Sequence, residues 1–130
     1  MSQGFKLTCQ LNLVTIQSIM DQLSQKHCQA CAGEGTALDQ STVDTLMAQL
    51  SPGWHLDSEH RTITKEFHFK GFYKTMAFVN AVAWIANEEQ HHPDLAVSYN
   101  RCIVHYTTHA ISDLSENDFI CAAKIDNLLT

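Results

Sequence analysis

Positive charge is scarce in this sequence, and so are long apolar runs, glycine-rich loops and closely paired cysteines. Lys and Arg number 8 against 14 Asp and Glu, for a formal charge of -6. A protein that follows nucleic-acid phosphates needs basic residues in excess, so direct nucleic-acid binding is not expected. No stretch approaches the roughly 18 to 20 apolar residues of a membrane-spanning helix, and the start lacks a basic segment followed by an apolar run and a cleavage site. A cytoplasmic protein without membrane attachment is therefore expected. A Gly-rich phosphate loop and a Gly-x-Ser-x-Gly nucleophile turn are both missing.

The cysteines are Cys9, Cys28, Cys31, Cys102 and Cys121. An odd, scattered set in a chain of this size reads as free thiols. Cys28 and Cys31, preceded by His27, could form half of a zinc site, but no second close pair completes a tetrahedron. The Cys-x-x-Cys spacing also lacks the strand-to-helix setting of a dithiol redox centre. Neither a metal nor a cofactor is expected.

What is present suits one domain, since 130 residues with a hydrophobic share of 45% can bury a core. Residues 1–37 read as an N-terminal extension and loop. An apolar segment there (Leu11, Leu13, Val14, Ile16, Ile19, Met20) suggests a helix, and a polar stretch follows through Gly33 to Gly35. Residues 38–130 read as the functional domain. Asp39 or Ser41 can cap a helix carrying Val43, Leu46, Met47 and Leu50, stopped by Ser51, Pro52 and Gly53. Trp54 and Leu56, a polar turn near Ser58 to His60, and Ile63, Lys65, Phe67 and Phe69 predict a hairpin.

Phe72, Met76, Val79, Ala83 and Ala86 recur at helical spacing up to about Gln90. Leu95 and Val97, then Cys102, Val104 and Tyr106, predict a second strand pair around Tyr99 and Asn100. Ser115 with Asp118 makes an acidic capping box for a last helix through Phe119, Ile120, Ala123 and Ile125 to Leu128. The order α-β-β-α-β-β-α predicts an α+β domain, a four-stranded antiparallel sheet with helices gathered on one face.

Chemistry concentrates at Asn87, Glu88, Glu89, Gln90, His91, His92, Pro93 and Asp94, where imidazoles and carboxylates crowd a helix-to-strand turn. Glu88 or Glu89 alone reads as a solvated surface carboxylate. His91 and His92 with His109, which a loop at the sheet edge can return toward them, suggest either a metal site or metal-free proton transfer. Adjacent histidines in extended backbone point to opposite sides, and a helical i, i+4 ligand pair is missing, so metal is disfavoured. His27, His55, His60, His68 and His105 read as surface or structural residues. Phe67, Phe69, Phe72 and Phe78 read as core.

The run His91-His92-Pro93, an aromatic residue six positions on at Tyr99, His109 ten further, and Asp118 downstream resembles the signature of pterin-4a-carbinolamine dehydratases. The resemblance spans about Leu38 to Ile125, taking in Gly53-Trp54, Phe67-His68-Phe69-Lys70, the Phe72 to Ala86 helix and Leu114-Ser115-Glu116. His27-Cys28-x-x-Cys31 is similar to bacterial members. It implies a hydro-lyase that dehydrates a 4a-hydroxytetrahydropterin to quinonoid dihydropterin in tetrahydrobiopterin recycling, without a metal. It further implies His91 and His109 as acid and base, His92 positioning or protonating the other face, and Asn87, Glu88, Pro93, Thr107, Thr108 and Asp118 around the substrate, with Asp94 a weaker candidate.

The sequence departs from the family at Asn87, where an acidic residue is usual. An amide can hydrogen-bond a pterin but cannot accept a proton as a carboxylate does, and neighbouring Glu88 is the alternative. The resemblance also implies a homodimer or homotetramer and a functional link to phenylalanine hydroxylase. A second role, as a dimerisation partner of a transcription factor with weak or no activity, comes with it.

Overall fold

A computed structural model describes residues 23–29 and 37–130. Helix α1 (Gln40–Ala48) begins at Asp39, whose carboxylate accepts the Thr42 N–H at 2.8 Å. Asp39 rather than Ser41 is thus the cap, and it satisfies one of the N–H groups that a helix start leaves unpaired. After the Pro52-Gly53 turn, where Gly53 takes φ +109°, a conformation that favours glycine, come β1 (His55–Leu56) and β2 (Ile63–His68). Their connection is shaped by Asp57, whose carboxylate accepts the N–H groups of Arg61 and Thr62.

Helix α2 (Phe72–Glu89) follows, then β3 (Asp94–Ser98), a two-residue turn at Tyr99-Asn100, and β4 (Arg101–Tyr106). A 3-10 turn (His109–Ile111) leads into α3 (Glu116–Asn127). The strands form one antiparallel sheet in the order β1-β2-β4-β3. This is the expected α+β architecture.

Register sets which face is buried. Ile63 pairs with Tyr106, Lys65 with Val104 and Phe67 with Cys102. Side chains alternate along a strand, so these share one face, and Ile63, Phe67, Cys102, Val104 and Tyr106 are all buried. The helices cover that face: Phe78 of α2 lies 4.6 Å from Phe67, ring centre to ring centre, and Phe119, Ile120 and Ile125 of α3 complete the core.

The buried face of α2 differs from expectation. Thr75, Phe78 and Val82 point inward with Glu89 at the end of the same stripe, while Phe72 and Ala83 are exposed and Met76, Val79 and Ala86 only half-buried. The helix is apolar almost all round, so two adjacent stripes satisfy the same periodicity and spacing does not choose between them. Thr75 anchors the inward stripe, its hydroxyl donating to the carbonyls of Gly71 and Tyr99.

Asp126, near the end of α3, is a second fixed point. Its carboxylate accepts Trp54 Nε1 at 3.0 Å, the Ser51 N–H at 3.1 Å and Lys65 Nζ at 2.9 Å, tying the start of β1 and the middle of β2 to the last helix. Lys65 is only 15% exposed, and a buried charge without its partner is costly. Asp126→Ala is therefore expected to lower the unfolding free energy by about 3–5 kcal/mol in urea denaturation. A loss no larger than that of an average exposed substitution would show that the network carries little of the fold.

Candidate functional site

The site is built where α2 stops. Gln90 adopts a left-handed conformation (φ 53°, ψ 38°), and the N–H groups of Gln90 and His91 both bond the Ala86 carbonyl. That cap turns the chain sharply into β3, so the His91 ring meets the first turn of α3. There His91 Nε2 lies 2.6 Å from Asp118 Oδ1; the imidazole is 13% exposed and the carboxylate 0%.

Asp118 is held from its other side as well. Its Oδ2 accepts the Ser115 N–H at 2.9 Å, the expected capping box, and the Thr108 hydroxyl at 2.8 Å. The face of the His91 ring stacks on Tyr106, with centroids 5.5 Å apart and planes 13° from parallel. Burial alone would push the His91 pKa down, but the hydrogen bond and charge of Asp118 outweigh it and raise it above the ordinary 6.5.

His92 leaves the turn in the opposite direction and stacks on His109, centroids 6.0 Å apart. His109 Nε2 lies 3.8 Å from Asp94 Oδ2, in a pair that is largely solvent-exposed. Two imidazole groupings result: a half-buried His91–Asp118 dyad and an exposed His92–His109 stack beside Asp94. Thr108 joins them, since its hydroxyl is on Asp118 and its chain neighbour is His109.

The remaining candidates lie around these. Pro93 is half-buried between His92 and Asp94, while Asn87 and Glu88 are exposed at the end of α2. The Asn87 carbonyl accepts from the Gln90 side chain. Thr107 faces the other side of the strand and donates its hydroxyl to the Arg61 carbonyl at 2.7 Å. His105, read as structural, bonds the Thr64 hydroxyl on the outer sheet face.

Glu89 is a correction. It is buried, not a solvated surface carboxylate, and it receives residues 23–29: its carboxylate accepts the Cys28 N–H at 2.8 Å and approaches His27 Nδ1 at 3.0 Å and Lys124 Nζ at 3.3 Å. Burial alone would raise its pKa, yet these partners together hold it below the usual 4.5. Asn117 clasps the same segment, exchanging two hydrogen bonds with the Gln29 backbone at 2.7 and 3.0 Å. The segment, Glu88, Glu89, His91 and Asn117 line a cavity of about 550 Å³. The true α2 stripe runs through Phe78, Val82 and Glu89, so placing that stripe correctly was the signal that would have put Glu89 inside.

Residues 36–128 match the family profile described as pterin 4 alpha carbinolamine dehydratase. The chain belongs to this family. A Legionella pneumophila protein assigned as a pterin-4-alpha-carbinolamine dehydratase is 57% identical over 107 residues, 82% of this chain and 95% of its own length. One from Nitrosospira multiformis is 56% identical over 113 residues, covering 87% and 97%.

Among solved structures, a transcriptional coactivator/pterin dehydratase from Brucella melitensis aligns with a TM-score of 0.69 at 28% identity, over 73% of this chain and all of that one. A pterin dehydratase-like RuBisCO assembly factor of the alpha-carboxysome aligns at 0.52 and 23% identity, over 58% and 88%, and shares the fold. The matched range contains His91 and Asp118 of the dyad and His92 and His109 of the stack.

The raised His91 pKa fixes a pH dependence. A group whose pKa is raised on folding contributes stability that is complete below its unfolded value, near 6.5, and fades as pH climbs through the folded one. The stability gap between the parent protein and His91→Gln is therefore expected to be larger at about pH 6 than at about pH 9. A gap that widens with pH in parallel denaturation curves would contradict the dyad.

Proposed function

We propose that this chain removes water from a 4a-hydroxytetrahydropterin, giving quinonoid dihydropterin, by imidazole acid–base catalysis. The observation that carries the reading is the His91–Asp118 dyad: a buried carboxylate 2.6 Å from Nε2 positions the ring and favours its protonated form. The reaction needs one proton delivered to the departing 4a-hydroxyl and one removed from N5, after which the C4a–O bond is lost and C4a=N5 forms. His91 delivers the first proton and exposed His109 takes the second, with His92 supporting the ring and sharing proton traffic on its other face.

Asp118 and Thr108 act through His91 by fixing its ring. Asn87, Glu88 and Pro93 contact the pterin, and Thr107 shapes the strand end. Asn87 offers an amide where the family usually has a carboxylate, so it binds without taking a proton. The setting we assign is tetrahydrobiopterin recycling in the cytoplasm, linked to a phenylalanine hydroxylase. Among the described residues no helix is long and apolar enough to cross a membrane.

His91→Ala and His109→Ala are each expected to slow dehydration at least tenfold, within the factor of about 10² to 10⁴ that one general acid or base supplies. Rapid-mixing assays on freshly generated 4a-hydroxytetrahydropterin measure this, with circular dichroism to confirm folding. Unchanged rates in both variants would reject the assignment, and a rate abolished by a strong chelator would replace it with metal chemistry.

A second reading, a protein-interaction module, is favoured by the exposed aromatics Tyr73, Trp84 and Tyr99, which are 87%, 65% and 67% accessible in the single chain. Large exposed apolar side chains contribute to association surfaces. A homodimer or homotetramer is accordingly expected by light scattering at micromolar concentration, and a monomeric mass would refute it.

A further inference from the structure

Among the described residues, one pair of thiols lies outside the groups assigned to dehydration. Cys28 Sγ lies 3.6 Å from Cys121 Sγ, though 93 positions separate them in the chain. Both are free thiols. Cys28 sits on the segment clasped by Glu89 and Asn117, is half-buried and lines the cavity beside His91. Cys121 is buried on α3, one turn beyond Asp118, with its sulfur 3.9 Å from the His91 carbonyl oxygen. We propose that Cys28 and Cys121 are a peroxide-sensitive dithiol that closes to a disulfide and fastens residues 23–29 to α3.

Three features support it. The sulfurs already touch, and reaching the bonded distance of about 2.05 Å is within side-chain rotation plus a small shift of a short segment. The two thiols are electrostatically unequal: the Cys28 hydrogen bond, opposed by burial and aided by the charge of His91 and the Tyr106 hydroxyl, holds the Cys121 thiol below its ordinary range. That same hydrogen bond to Cys121, with burial and the charges of Cys121 and Glu89, pushes Cys28 up. Of the two, Cys121 is therefore the more readily ionised and suited to attack a sulfur already oxidised. Finally, the cavity brings a small solute to Cys28 while Cys121 stays covered, which separates the sulfur that meets the oxidant from the one that resolves it.

The chemistry balances with hydrogen peroxide as oxidant. Cys28 Sγ, which meets the peroxide in the cavity, attacks one peroxide oxygen; the O–O bond breaks, a sulfenic acid forms, and the departing hydroxide takes the Cys28 proton and leaves as water. Cys121 Sγ then attacks Cys28 Sγ; the S–O bond breaks, the S–S bond forms, and the second water carries away the Cys121 proton. Two thiols are oxidised by two electrons and one peroxide becomes two waters. The proposal does not rest on the dehydration reading and stands or falls without it.

The test is brief exposure of the intact full-length chain to hydrogen peroxide, alkylation of remaining thiols and peptide mapping by mass spectrometry. The expected product is a peptide pair joined through Cys28 and Cys121, with the loss of two hydrogens per chain, reversed by dithiothreitol. A higher Tm for the oxidised protein should accompany it, because a cross-link closing so long a loop restricts the unfolded chain. The Tm gain should vanish in both Cys28→Ser and Cys121→Ser. Linkage of Cys28 to Cys31 instead, or Cys28 ending as sulfinic acid with Cys121 still alkylatable, would overturn the proposal. Because the mapping uses the parent protein, a variant that folds poorly does not blur the result.

Discussion

Asp118 is a carboxylate with no solvent contact, and such a group survives only where donors surround it. Three do: the backbone of Ser115, the hydroxyl of Thr108 and the ring of His91. They come from the cap of α3, the end of β4 and the turn after α2, so one side chain registers three elements that are distant in sequence. Remove it and the capping box opens, Thr108 loses its acceptor and His91 loses the bond that turns its ring. Taking one partner from a buried pair of this kind costs about 3–5 kcal/mol, much of it for stranding the other. The interaction that fixes the His91 ring therefore also holds the end of the sheet to the last helix.

The same device recurs twice on a smaller scale. Asp126 gathers Trp54, Ser51 and Lys65 at the far end of α3, and Glu89 gathers Cys28, His27 and Lys124 at the end of α2. Each carboxylate lies at a helix end and satisfies donors from a different part of the chain. The apolar core supplies most of the favourable free energy and has little directional preference. These three polar points give it directional constraints, deciding how far α2 and α3 slide along the sheet and where the turn at Gln90 delivers His91.

How much of this was legible in the sequence depended on the range of the interaction. Asp39, Ser115 and Asp118 are local signals, because a cap acts within one turn, and each sits where its spacing placed it. The two hairpins and the buried face of β4 followed from alternation in Cys102, Val104 and Tyr106, whereas the pairing of β2 with β4 is a long-range contact that alternation does not specify. The face of α2 did not follow, because its residues are apolar on more than one stripe and only the sheet beneath selects Phe78 and Val82. Glu89 was misplaced for the same reason, with a further one: its partners His27 and Cys28 are about sixty positions away. The helix suggested for Leu11 to Met20, Cys9 and Cys31 fall outside the described residues.

The placement of the histidines also bears on how proton transfer would be divided in the dehydration we propose. An imidazole as covered as His91 would ordinarily prefer to be neutral, since burial penalises its charged form. Asp118 reverses that preference, at the cost of tying up one ring nitrogen. His91 is thus suited to keep a proton and release it in a fixed direction, while a group that must take protons up and pass them to water is better left exposed. His92 and His109 are exposed, stacked on each other beside Asp94. A protected donor and a solvated acceptor, linked through Thr108, keep the two imidazole environments different while they share one strand end, and that difference is what a reaction giving one proton and removing another requires.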